Sequence, residues 1–264
     1  LYRNDIGTEM DSADFDTRQE IRETGIKAGW TWYANASNTV KAGLQFARFG
    51  MMPGHTRPRN DESMVKEVRI PDNFAVQPAV FVQNEQKLGP ATLRYGLRYS
   101  TFTTLGPSEQ KYFDPDTHEL TETVQFEKNK AIKTFSGLEP RISASMPITE
   151  DLSVKGAWVR SFQYIQQSRI SITGSPVDAW FAASPNVEPQ RSDQYSVGVN
   201  ALFSNQALQL SLEGFYKENR NTMDFVDNPG LVMADPDREG LLRFGKSWSY
   251  GAELMLKYDF ARWN

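Results

Sequence analysis

The chain has 264 residues, 39% of them hydrophobic, and a formal net charge of -4. No run approaches the roughly 18 apolar residues of a membrane-crossing helix, and the acidic balance lacks the basic footprint of a nucleic-acid binder. It contains no cysteine, which excludes disulfides and thiolate metal sites.

None of this excludes a transmembrane barrel, whose wall is only half apolar. Aromatics make up 12% of the chain, with 6 Trp and 10 Tyr, and a barrel uses such residues as girdles at its two water–lipid boundaries. The other place for them is the core of a soluble β-sandwich.

Residues 1–17 are acidic and aperiodic and read as a loop. Nothing at the start resembles the apolar segment of a signal peptide. Next, Ile26, Ala28, Trp30 and Trp32 alternate with Lys27, Gly29 and Thr31. Beyond a short turn at 34–38, Val40, Ala42, Leu44 and Phe46 alternate with Lys41, Gly43 and Gln45. Successive side chains of a strand point to opposite faces, so each strand has one oily and one wet side.

A long loop is expected near 51–73. Residues 74–86 are apolar but alternate poorly, and Pro78 marks a bulge or an unpaired position. After the turn at 87–90, Leu93, Tyr95, Leu97 and Tyr99 alternate cleanly with Arg94, Gly96 and Arg98. A second long loop covers 103–131. Ile142, Ala144, Met146 and Ile148 form the next stripe, and Leu152, Val154, Gly156 and Trp158 the one after the short turn at 149–151. There the register blurs near Val159 and Arg160.

A third long loop covers 169–190. The clearest hairpin follows. Tyr195, Val197, Val199, Ala201 and Phe203 share one face, and after the turn at 204–206 so do Leu208, Leu210, Leu212, Gly214 and Tyr216. A fourth loop lies near 222–240. The last stripe runs through Trp248, Tyr250, Ala252, Leu254, Leu256, Tyr258 and Phe260.

Connections thus alternate between short and long, as in an outer-membrane barrel with short periplasmic turns and long outer loops. The fold class expected is all-β, an antiparallel up-and-down transmembrane β-barrel of about nine strands over residues 18–264. Lipid offers no hydrogen bonds, so each strand needs neighbours on both sides. An odd, open sheet therefore implies further strands outside this sequence.

Several segments resemble TonB-dependent outer-membrane receptors, especially those of Bacteroidota type. They are Val80–Glu85 with Gly96–Tyr99, Leu138–Ser143 with Thr149–Gly156, Pro189–Gly198, Glu213–Lys217, and Ser249–Leu254. The resemblance covers residues 20–264. It implies a barrel of about 22 strands with a plugged lumen, here without its plug domain. It also implies a non-enzymatic importer in the outer membrane of a Gram-negative bacterium. Such a receptor binds a scarce nutrient (an iron chelate, cobalamin, glycan or peptide) and draws on energy relayed through the TonB complex. A surface lipoprotein is a further partner, and no cofactor is implied. The alternatives are a passive outer-membrane channel, an adhesin barrel, or a secreted carbohydrate-binding β-sandwich.

Candidate sites follow from facing. Arg94, Arg98, Arg141, Lys155, Glu213, Glu253 and Lys257 fall on the wet side and are expected to line the lumen, where they contact plug, substrate or water. Trp180 and Phe181, in an outer loop, are candidate substrate contacts, with loop packing as the alternative. The acidic run from Asp114 to Glu119, with His118, lacks the glycine and spacing of a calcium loop and reads as a solvated turn. His55 and His118 are the two histidines, and a zinc site built from them is not expected.

Overall fold

The computed structural model describes residues 2–8, 14–61, 63, 64, 66–168, 179–203, 208–226 and 237–258. One antiparallel sheet runs through β1 (Tyr2–Thr8), β2 (Phe15–Asn35), β3 (Asn38–Pro58), β5 (Asn73–Leu88) and β6 (Ala91–Leu105). It continues through β9 (Ala131–Pro147), β10 (Leu152–Gln163), β13 (Gln190–Phe203), β14 (Leu208–Phe225) and β15 (Leu242–Tyr258). The two-residue strand β4 (Val68–Arg69) pairs with the far part of β3. Two ribbons sit in the long connections: β7 (Ser108–Phe113) with β8 (Leu120–Phe126), and β11 (Ile165–Ser168) with β12 (Ala179–Ala182). Consecutive wall strands are spatial neighbours throughout, which is the up-and-down barrel topology.

The short turns gather at one end. Asn35 pairs with Asn38, and the Asn35 side-chain oxygen accepts from the Ser37 N–H at 2.9 Å and the Asn38 amide at 3.0 Å. Gly89 turns the next hairpin with φ 59°, a conformation that strains residues with a Cβ. In the turn at 148–151, the Thr149 hydroxyl accepts from the Asp151 N–H at 3.3 Å. The turn expected at 204–206 lies outside the described residues. The long connections leave from the opposite end.

The apolar stripes point outward and stay uncovered. Ile26 is 72% exposed, Val197 68%, Trp248 66% and Leu254 69%. Register aligns the stripes across strands, with Val199 opposite Leu212 and Leu212 opposite Leu254. An aromatic row crosses four strands through Trp158, Tyr195, Tyr216 and Tyr250, and the first two rings stack 6.4 Å apart. A β-sandwich buries such stripes against a second sheet. Here they form the outer surface of a single sheet, so the sandwich alternative is set aside.

Four sequence expectations need correction or refinement. Residues 1–17 are not simply a loop, because β1 pairs with β2 from Tyr2 opposite Ile21 to Thr8 opposite Phe15. Its contacts are charged, with Arg3 to Asp5 at 2.6 Å and Arg18 to Asp5 at 3.8 Å, so hydropathy carries no sign of it. β3 runs on to Pro58, well into the loop expected at 51–73. The stretch 103–131 holds the β7–β8 ribbon rather than bare loop. Pro78 sits in an unbulged strand: pairing with β6 holds at Val76–Thr103, resumes in the same register at Ala79–Ser100, and skips Gln77 and Pro78 between. Proline has no N–H to give that ladder.

The buried core lies on the concave face toward the long-loop end. Ala47, Phe49 and Met51 of β3, Ala75 of β5 and Phe102 of β6 pack with Tyr164, Ala182 and Ala183 of the β10–β13 connection. The Phe102 and Tyr164 rings stack at 5.1 Å. β12 packs against β3 and β11 against β14, so this connection folds in across the concave side. Pairing of β10 with β9 stops at Val159, which frees the chain beyond to turn inward where the pattern blurs.

Candidate functional site

Alternation places Arg94, Arg98, Arg141, Lys155, Glu213, Glu253 and Lys257 on the concave face, opposite the exposed stripes. They form separate contacts rather than one constellation. Arg94 binds Glu85 at 2.8 Å across the β5–β6 ladder. Arg98 pairs with Glu139, directly opposite it on β9. Lys155 pairs with Glu213 two strands away, although Gly198 stands between them in the register. A Cβ at Gly198 would come within 2.6 Å of the Lys155 Cε, so the glycine leaves open the path the lysine takes. Glu253 lies opposite Glu213, Lys257 opposite Gln209, and Arg141 opposite Gly96.

Glu139 anchors a buried polar chain. Its Oε1 also accepts from the Ser100 hydroxyl at 2.7 Å, and Ser100 shares a 2.9 Å hydrogen bond with the Tyr164 hydroxyl. Burial pushes the Tyr164 phenol up, against the opposing effect of the Ser100 hydrogen bond. Ser100, Glu139 and Tyr164 were not candidates from sequence. The signal available for Glu139 was its cross-strand position opposite Arg98.

At the mouth, three outer connections are knotted together. Lys111 of β7 pairs with Asp237. Asn186 donates its side-chain amide to the Lys111 carbonyl at 2.7 Å and to Glu239 Oε2 at 2.6 Å. The Ser184 hydroxyl donates to the same Glu239 oxygen at 3.0 Å. Arg238 lies over the Phe181 ring at 4.7 Å and donates to the Trp180 carbonyl at 3.2 Å. Burial pulls the Arg238 guanidinium down to about 10 and, working against the Asn186 and Ser184 donors, pushes the Glu239 carboxyl up. The Glu239 residue is partly exposed, but its carboxylate lies beneath the surface.

Phe181, for which substrate contact and loop packing were the alternatives, is 2% exposed and packs with Val187, Met223 and Leu242. Its ring lies edge-on to Phe225 at 5.7 Å. Trp180 beside it is half-buried. Residues 175–178 of the same loop lie outside the described residues. The Asp114 carboxylate closes a local turn by accepting from the Thr117 and Asp116 N–H groups at 2.8 and 2.9 Å. These bonds hold the carboxyl below its usual range. His55 contacts Glu67 at 2.8 Å, and among the described residues no three acidic or histidine side chains cluster as metal ligands.

The side chains thus brace a wall and seal a mouth. Similarity to known proteins agrees. No curated protein matches the sequence. Among solved structures, the chain is similar to the Serratia marcescens hemophore receptor HasR in complex with its hemophore HasA and heme. There the TM-score is 0.58 at 17% identity, covering 95% of this chain and 44% of that one. The FrpB iron transporter of Neisseria meningitidis gives 0.57 at 13% identity, covering 94% and 34%. The ferric yersiniabactin uptake receptor FyuA of Yersinia pestis gives 0.57 at 14% identity, covering 97% and 35%. The chain therefore spans less than half the length of these receptors, and at such identities they show the fold alone. Residues 2–264 match the family described as TonB dependent receptor-like, beta-barrel. The chain belongs to that family of transport receptors.

Proposed function

We propose that this chain is part of the wall and outer mouth of an outer-membrane importer. It takes up a scarce nutrient with energy relayed through the TonB complex. The observation that carries the reading is the sorting of the two faces: oily stripes uncovered on the outside, charge pairs and a knotted loop cluster on the inside. Lipid is the solvent such stripes require. The concave face, with its seven charged candidates, is then the lumen.

The nutrient class put first is an iron chelate or heme, because the similar structures bind or import those. Cobalamin, glycan and peptide follow. Trp180, at the edge of the loop knot, is the proposed substrate contact. A surface lipoprotein is a further partner in this reading, and no catalytic step is assigned.

The experiment is genetic. Deleting the full-length gene should abolish growth on the cognate iron source at limiting concentration, and loss of TonB should reproduce the defect. Uptake that persists without TonB and scales with solute size would favour the passive channel instead.

A further inference from the structure

On β2 and β3 the lipid-facing stripe ends in a basic cleft. Ile26 pairs with Phe46 as the last apolar row, and the next outward positions are Thr24 with Arg48, then Arg22 with Gly50. The residues between them, Ala47, Phe49 and Met51, are buried in the concave core, so alternation turns Arg48 and Arg22 outward. A cavity of about 700 Å³ opens on this face, lined by six arginines against four carboxylates.

Five of these arginines lie in ion pairs: Arg3 and Arg18 with Asp5, Arg18 and Arg22 with Glu20, and Arg57 and Arg59 with Asp16. The Glu20 carboxylate is shared by Arg18 at 3.0 Å and Arg22 at 2.8 Å. Arg48 is exposed and has no ion-pair partner among the described residues. The floor is apolar, with Met52 and the Phe74 ring, which lies against Gly50.

Height decides the occupant. Arg48 stands two residues past Phe46, about 7 Å further along the strand and less along the membrane normal because the strand tilts. The headgroup layer on each side of a bilayer is about 5–8 Å thick. Arg48 therefore reaches the level of lipid phosphates directly above the apolar Ile26–Phe46 row, and Arg22, opposite Gly50, carries the basic face one row further out. Arginine is the side chain best shaped for a phosphate, through two parallel N–H donors.

We infer that the cleft of Arg22, Arg48, Phe74 and Met52 is a docking site for a phosphate-bearing lipid of the outer leaflet. This inference rests on the membrane reading of the chain. The site faces the bilayer and is separate from the mouth that meets the nutrient.

The test uses the full-length protein purified in neutral detergent. Short-chain phosphatidylglycerol and phosphatidylcholine of equal chain length are titrated in, and bound lipid is read by native mass spectrometry. Phosphatidylglycerol should bind at least fivefold more tightly. Replacing Arg22→Gln and Arg48→Gln together should abolish that preference, whereas Arg48→Lys should keep most of it and Arg94→Gln, on the opposite face, should leave it intact. Should the double variant fail to fold, Arg48→Gln alone should reduce the preference at least threefold. An undiminished preference in the folded variants overturns the site. So does inorganic phosphate competing as well as the lipid, since that describes a free-anion pocket. A protein that stays in solution without detergent and ignores vesicles overturns the membrane reading itself, and the site with it.

Discussion

The Asn186 side-chain amide donates to Glu239 Oε2 at 2.6 Å, joining positions 53 residues apart. That one amide also reaches the Lys111 carbonyl, and its oxygen accepts from the Phe113 N–H at 3.4 Å. Three outer connections therefore meet at a single side chain.

Asn186→Ala should therefore loosen the mouth without harming the wall. A hydrogen bond contributes about 0.5–1.5 kcal/mol, and the truncation removes one of the donors to Glu239. Hydrogen exchange of the full-length protein should speed up in residues 108–113, 184–187 and 237–241. Protection in β13 and β14 should stay as it is. Equal loss in the wall strands would contradict the assignment.

The pH dependence of the mouth follows from Glu239. Burial raises its folded pKa above the unfolded value. The uncharged form is the one the fold prefers, so the contribution to stability is fullest below the unfolded pKa and is lost as pH rises through the folded one. Asp114 runs the other way: its carboxyl is lowered, and its turn weakens only as pH falls through that depressed value. Exchange at residues 184–187 and 237–241, corrected for intrinsic rate, should slow as pH falls through the raised Glu239 value toward the unfolded one. Glu239→Gln should flatten that change.

Glu139 holds three groups at once, directly or through Ser100: Arg98, Ser100 and Tyr164. Glu139→Ala leaves the Arg98 guanidinium without its partner in a largely buried place. Breaking a buried pair costs about 3–5 kcal/mol; the partial exposure of Arg98 puts the expected cost at the low end. Removing both, Arg98→Ala with Glu139→Ala, should recover part of the loss. Heat-modifiable migration of the full-length protein on gels is the readout.

The wall was legible in the sequence because lipid demands a strict alternation. Val197 and Leu254 announce their facing simply by position, and eight of the nine long strands follow from such stripes, β5 being apolar without a clear period. Beyond the lipid that demand lapses. β1 and the start of β2 are joined by charge pairs such as Arg18 with Asp5 at 3.8 Å, which leave no period in hydropathy. The concave pairs follow from alternation plus register, so Glu85 and Glu139 become visible only once β5 and β9 are set against β6. The mouth was not legible at all. Phe181 is buried because Arg238, 57 residues later, folds over its ring, and no local pattern encodes a contact of that range.

The account depends most on Leu254 and Glu253 facing opposite solvents. No cysteine occurs in the 264 residues, so a thiol introduced there is unique among them. Leu254→Cys and Glu253→Cys, spin-labelled in the full-length protein in liposomes, can be compared for collision with oxygen, which concentrates in lipid, and with a water-soluble nickel chelate. The account predicts oxygen dominance at 254 and a sharp drop one residue away at 253. Equal chelate access at both positions would contradict it.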